Sequence, residues 1–244
     1  MKNFRMLVQY DGTDFAGWQI QPGKPTIQGL LSDCLTRMEG HPVRVHGSGR
    51  TDAGAHALGQ VASFRLSREF TSTLLRKAIN AQLPPSIRVM QIEEAEPGFH
   101  ALRGARSKTY RYQIYLGAVI SPFLHRFVWH APYSIDPLEL QPATRLLLGV
   151  HDFGSFCSGQ TVKGRTVRAI YASECAREDD LLSFTITGDG FLRYMVRRLT
   201  SGLYSVGRKR LELASFADLL EHPRENSLVP PLPAKGLTLV KVDY

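Results

Sequence analysis

Cysteine is scarce in this sequence. Cys34, Cys157 and Cys175 are the only three in 244 residues, far apart and with no C-x-x-C among them. An odd, scattered set excludes a disulfide framework or a thiolate zinc site as the organising device, and reduced thiols are expected. No run of about 18 apolar residues occurs, so no membrane span is expected. The opening MKNFRMLVQYDG has no apolar stretch leading to a small-residue cleavage site, and a cytoplasmic location follows. Several catalytic signatures are missing: G-x-S-x-G, H-E-x-x-H, the G-K-[ST] of a phosphate loop, and the paired acids of a two-metal centre. No metal is expected. Negative charge is the scarcer sign, with 22 Asp and Glu against 30 Lys and Arg and a formal charge of +8. That balance suits a polyanionic partner such as nucleic acid.

What is present is 43% hydrophobic residues with 21% charged ones, enough apolar material for one large domain or two small ones. The feature around which the chain is organised is Gly47 to Ala57, GSGRTDAGAHA. It holds three glycines and Asp52 but no large aliphatic side chain, so it offers a core little to bury and reads as a shaped loop. Apolar runs at 42–45 and 60–66 flank it, making it a connection between strands that presents Arg50, Asp52 and His56. A turn aspartate bonded to its own backbone would explain Asp52 equally well at this point. A dinucleotide fingerprint does not fit, because the glycine spacing breaks at Asp52 and a strand, not a helix, follows.

Periodicity supplies the frame. Phe4, Met6, Val8 and Tyr10 alternate as a strand, and Ile27, Leu30, Leu31, Cys34, Leu35 and Met38 form a helical stripe behind Thr26 as cap. Strands are expected at 4–10, 42–46, 59–66 and 87–93, and helices at 26–37 and 71–81. The order strand, helix, strand, strand, helix, strand is that of a ferredoxin-like unit. After a linker, strands at 108–116, 127–131, 165–177, 181–187 and 237–242 and helices at 136–147, 192–206 and 214–220 repeat the plan loosely. The expectation is therefore an α+β fold. One ferredoxin-like half spans residues 1–103 and a second 104–244, forming one mainly antiparallel sheet with a central cleft for RNA.

Outside the loop, Arg106, Lys108, Tyr110 and Tyr112 alternate on one strand face, mixing cations with rings, as phosphates and bases require. An ordinary solvated edge strand would look the same. His151-Asp152-Phe153 with Phe156 reads as a helix start capped by Asp152 above core aromatics. On the helix at 192–206, Val196, Leu199, Leu203 and Val206 make the buried stripe. Arg197 lies at its border, where a half-buried guanidinium needs an anion, and Arg193 one turn earlier is placed to reach phosphate.

The wording of these segments carries a resemblance. GRTDAGAHA matches the GRTDAGVHA signature of the TruA family of tRNA pseudouridine synthases, with Ala55 where the family commonly has Val. YDGTDFAGWQ, FHALRGARSKTYRYQIY, HDFGSF, GFLRYMVR and PAKGL resemble further family segments in the family's order. The arginine that follows FHA in the family is displaced here, with Leu102 in its place and Arg103 next. The resemblance implies a cofactor-free isomerisation of uridine to pseudouridine in tRNA, at nucleotides 38, 39 and 40 of the anticodon arm, by a homodimer. It implies that Asp52 is the catalytic aspartate, acting as nucleophile or as the base that removes a sugar proton, and that Arg197 pairs with it. Tyr110 would stack on the target base and assist proton transfer, Leu237 would support the ring from the other side, and Arg50 would fill the space the base vacates. Lys108 and Arg193 would bind the backbone. Two other readings fit parts of the sequence. A non-catalytic tandem RNA-binding module shares the fold but should carry an RNP1-like motif, which is missing. Another RNA-modifying enzyme, such as a methyltransferase, should carry a cofactor loop at a strand-to-helix turn.

Overall fold

The computed structural model describes residues 1–133, 135–158, 166–225 and 228–244. They divide into two compact units, Met1–Arg106 with Thr238–Tyr244, and Ser107–Leu237. The last seven residues of the chain thus pack with its beginning. Both units combine helices with mostly antiparallel strands, an α+β fold.

The first unit follows the periodicity closely. Strand β1 (Lys2–Tyr10) buries Phe4, Met6, Val8 and Tyr10 and leaves Arg5, Leu7 and Gln9 half-covered, as strict alternation dictates. Helix α1 (Ile27–Glu39) begins where Thr26 Oγ1 accepts from the Gly29 amide at 3.2 Å, and stops at Gly40, whose φ of 85° no longer supports a helix. Strands β2 (His46–Gly47) and β3 (His56–Leu66), helix α2 (Ser72–Gln82, capped by Thr71) and strand β4 (Ile87–Ala95) complete the unit. β4, β1, β3 and β2 lie side by side in that order, every neighbour antiparallel.

Two expectations need correcting here. The strand at 42–46 shrinks to His46–Gly47: Val43 and Val45 are buried, but the chain there is unpaired. In the other direction, β3 starts at His56 rather than at residue 59, so the last residues of GRTDAGAHA are strand. The early start of β3 has a visible cause. The C-terminal strand, Leu237–Asp243, runs parallel to β3 with Thr238 opposite His56 and Leu239 opposite Ala57, while β2 pairs only with Ala62 and Ser63. Two partners share one edge of β3, and each takes one end.

In the second unit, β5 (Ser107–Tyr115) has β9 (Leu181–Gly188) beside it, then β8 (Val167–Glu178) and β7 (Gly149–Asp152); β6 (Trp129–His130) pairs with β5 in parallel. Helix α3 (Pro137–Leu146) is capped by Asp136 with proline at its first position. Helices α4 (Met195–Gly207) and α5 (Leu213–Glu221) follow β9, and the C-terminal strand becomes β10. The strand expected at 127–131 is only two residues long, and Arg165 lies outside the described residues. His151-Asp152 ends β7 instead of starting a helix. Asp152 Oδ1 accepts from the Gly154 amide at 2.9 Å above a single 3-10 turn, and Phe153 and Phe156 are fully buried. Helix α4 begins at Met195, three residues later than expected. Tyr194 adopts φ 64°, a left-handed geometry that no helix interior contains.

Candidate active site

In the first unit, the sequence builds a tightly held loop around Asp52. Ser48 donates its amide to Val61 O at 2.8 Å and its hydroxyl to Gln60 Oε1 at 2.7 Å. Gln60, fully buried in a strand of apolar neighbours, donates to Gly49 O at 3.0 Å and more weakly to the Tyr10 hydroxyl at 3.4 Å. That hydroxyl lies 2.8 Å from Thr51 Oγ1. Burial pushes the Tyr10 phenol up to about 12, against the opposing pull of the hydrogen bonds with Thr51 and Gln60, so it stays protonated at neutral pH. A fully paired buried network of this kind fixes one geometry, because every alternative strands a polar group.

The DGTDFAGW segment supplies the other wall. Trp18 donates its amide to Thr51 O at 3.2 Å, and Gly54 donates to Phe15 O at 3.3 Å. His56, only 3% exposed, accepts the Gly12 amide on Nδ1 at 3.0 Å, and the same nitrogen lies 3.3 Å from Asp11 Oδ1. Glycine is required at two close approaches. A Cβ on Gly12 would fall 1.8 Å from Ala55 O, and one on Gly47 would fall 2.4 Å from the Trp18 indole. The first contact is backbone against backbone and cannot be relieved by a rotamer. Gly12→Ala is therefore expected to destabilise the protein by about 1–3 kcal/mol, measured by urea unfolding, whereas Gly98→Ala, with open space around it and an ordinary φ, serves as control. On this scaffold Asp52 is half-buried and Arg50 exposed, as expected of a presented loop.

The second unit gathers the other expected residues. Tyr110 is 6% exposed on β5, with the Phe191 ring edge-on at 5.1 Å. Tyr112, expected as a second ring on a wet face, is instead fully buried. Its hydroxyl donates to Pro233 O at 2.7 Å, and burial pushes its phenol far up against the pull of Arg197. A Cβ on Gly236 would meet the Tyr112 ring at 2.6 Å. Tyr112 thus anchors the PAKGL segment that leads to Leu237, itself 6% exposed. Arg106 falls before β5 and is exposed; Lys108 is half-buried on the strand. Its ammonium is pushed down by burial and then by the Arg168 guanidinium, with Asp189 pulling the other way.

Arg197 is half-buried on α4 and ties the same segment from the other side. Its Nε donates to Leu232 O at 2.6 Å, and its guanidinium carbon sits 4.9 Å from the Tyr194 ring. Arg193 does not lie on the helix. It precedes it, exposed, stacked 4.7 Å from the same ring and donating to the Tyr194 hydroxyl at 3.0 Å. The left-handed turn at Tyr194 is what puts one ring against both cations. Phe191, Tyr194 and Gln60 were not singled out from sequence. Gln60 has a readable signal, a lone amide in an apolar strand; the other two lie in GFLRYMVR, where the two arginines are the residues whose charge stands out in the sequence. Among the described residues no cluster of three His, Cys, Asp or Glu could hold a metal, and no helix is long and apolar enough to cross a membrane.

The family model described as tRNA pseudouridine synthase matches residues 6–101 and 143–244, and the chain belongs to that family. Relatives named tRNA pseudouridine synthase A extend the match. One from Geobacillus sp. (strain WCH70) is 41% identical over 244 residues, covering 100% of this chain and 98% of the relative. Another, from Solibacter usitatus, is 40% identical over 247 residues with both chains fully covered, and a third, from Geobacillus kaustophilus, is 41% identical over 245, covering 100% and 95%.

Proposed function

We propose that this protein isomerises uridine to pseudouridine in tRNA, at nucleotides 38, 39 and 40 of the anticodon arm, and that it acts as a cytoplasmic homodimer. The observation that carries this reading is the Asp52 loop, a nine-residue family signature held by a buried network that serves no packing need of its own. The two halves, 1–103 and 104–244, each contribute part of the machinery.

The chemistry balances without a cofactor. The N1–C1′ bond of the uridine breaks, the uracil turns, and C5 bonds to C1′; one proton leaves C5 and one is gained at N1. Asp52 serves the sugar side of this exchange, with Arg197 as its ion partner. Tyr110 stacks on the uracil and handles the proton at C5, its ring held by Phe191. Leu237 supports the opposite face of the base. The target must leave its stack to be reached, and Arg50, exposed beside Asp52, occupies the vacated space. Lys108 and Arg193 contact phosphate. For Lys108, a bound phosphate offsets the burial that disfavours its charge.

Pseudouridine mapping of an unmodified tRNA transcript by carbodiimide labelling and reverse-transcription stops tests the whole. A stop at one or more of nucleotides 38–40 is expected after incubation with the protein. Tight binding without any stop would leave a binding module and end the catalytic reading.

A further inference from the structure

The first unit contains a groove of about 690 Å³ to which no residue of the Asp52 loop contributes. It lies among the start of β1, residues 41–46, the later part of β3, and the FHALRG segment at 98–104. The FHALRG wall is built to stay in place. Asn3, 6% exposed, donates to Glu96 O and Phe99 O at 2.7 and 3.0 Å. Ser63, 3% exposed, accepts the Ala101 amide at 3.1 Å, and the Tyr244 hydroxyl donates to Ala101 O at 2.8 Å. Buried polar side chains committed to a short loop segment point to a wall whose position matters.

The lining is one-signed. His41, Arg44, His46, Arg65, His100 and Arg103 contribute to it, and no acidic residue does. Among the described residues, the one ion pair of a lining side chain is His41 with Glu39 at 3.2 Å, and Arg65 donates to Pro97 O. Arg44 and Arg103 have neither a hydrogen bond nor an ion pair from their side chains among the described residues. The His46 and His100 rings lie 4.8 Å apart. His100 Nδ1 accepts the amides of Leu102 and Arg103, which leaves its hydrogen on Nε2 as a donor. The His46 imidazole is held below its usual range, by burial first and then by His100, Arg44, Arg103 and Arg65. Like charges gathered without a counter-ion repel one another, and a bound anion relieves them all together.

We propose that this groove is a phosphodiester-binding subsite, in which Arg44, Arg103, Arg65, His46 and His100 grip the backbone of the RNA at a distance from the reacting nucleotide. The proposal rests on tRNA being the substrate. The groove shares no lining residue with the Gly47–Ala57 loop, so the phosphate held there is a different group from the one Asp52 addresses. The site also accounts for Arg103. This arginine, displaced by one position from the family's FHAR wording, lines the groove, while Leu102 is exposed. The volume exceeds what a lone phosphate needs and matches a stretch of sugar and phosphate.

The test compares Arg44→Gln/Arg103→Gln with wild type and with Arg44→Lys/Arg103→Lys, using full-length protein and an unmodified tRNA transcript. Both arginines are exposed, so thermal melting should be unchanged, and it is measured for each variant. For the Gln pair, the dissociation constant should rise about tenfold, and the log–log salt slope should shrink by about 1 to 2. The Lys pair should restore the slope, since phosphate accepts a point charge. Wild-type affinity and slope in the Gln pair, or a Lys pair as weak as the Gln pair, would overturn the proposal. So would protection of the wild type from unfolding by about 10 mM inorganic phosphate together with unchanged tRNA binding by the Gln pair, because that assigns the groove to a free anion. Pseudouridine mapping with the same wild-type preparation separates the two levels. Product from the wild type with normal binding by the Gln pair removes the groove alone, whereas no product from the wild type removes the reading of function.

Discussion

Asp52→Asn is expected to lower pseudouridine formation by about 10³-fold or more, while tRNA affinity stays within about threefold of wild type. The substitution keeps the shape of the side chain and removes its charge. Much of what holds the loop lies elsewhere: Tyr10 against Thr51, Gln60 on Gly49, Trp18 on the Thr51 carbonyl, and the Asp52 carbonyl accepting from the Ala55 amide at 3.1 Å. None of these uses the Asp52 carboxylate. Urea unfolding measured for the same variant separates lost turnover from lost stability. Single-turnover rates on a tRNA transcript, with binding measured separately, give the answer. Turnover within tenfold of wild type would remove Asp52 from the mechanism and leave its loop as architecture.

Most of the frame was legible because it is local. Alternation in β1, the stripe of α1, and the threonines before α1 and α2 each state their structure within a dozen residues. What escaped was non-local. Nothing in HAL announces a strand, since alanine offers little strand propensity; β3 begins there where the far end of the chain, Thr238 and Leu239, pairs with it.

At the candidate site, the motifs mark segments but not the state of each side chain. A period of two puts Lys108, Tyr110 and Tyr112 on one face without saying whether that face meets water. Burial turned Tyr112 from a stacking ring into an anchor for Pro233. A period of 3.6 extended α4 back over Arg193, because Tyr194 has no side-chain feature that signals φ of 64°. The ring there lies against two guanidiniums, and such packing is not written in the local sequence.

Arg197→Met should lower turnover by about 10²-fold, and Arg197→Lys should recover only part of it. Methionine preserves much of the aliphatic stem that covers the core side of α4, yet it leaves the Leu232 carbonyl without the donor it now has at 2.6 Å. That loss is expected to cost about 1–3 kcal/mol of stability, read as a lower urea midpoint. Lysine keeps the charge but lacks the planar fork, so it cannot hold Leu232 and present a second pair of donors to a carboxylate in one geometry. The effect should fall on kcat more than on KM, because a misplaced Asp52 still leaves the tRNA surface intact. A double-mutant cycle makes the pairing explicit. If Arg197 acts through Asp52, adding Arg197→Met to Asp52→Asn should reduce turnover far less than it does in the wild-type background. Additive losses would place Arg197 on the RNA instead, as a phosphate contact. The salt dependence of tRNA binding would then flatten in Arg197→Met, whereas an ion partner of Asp52 leaves it unchanged.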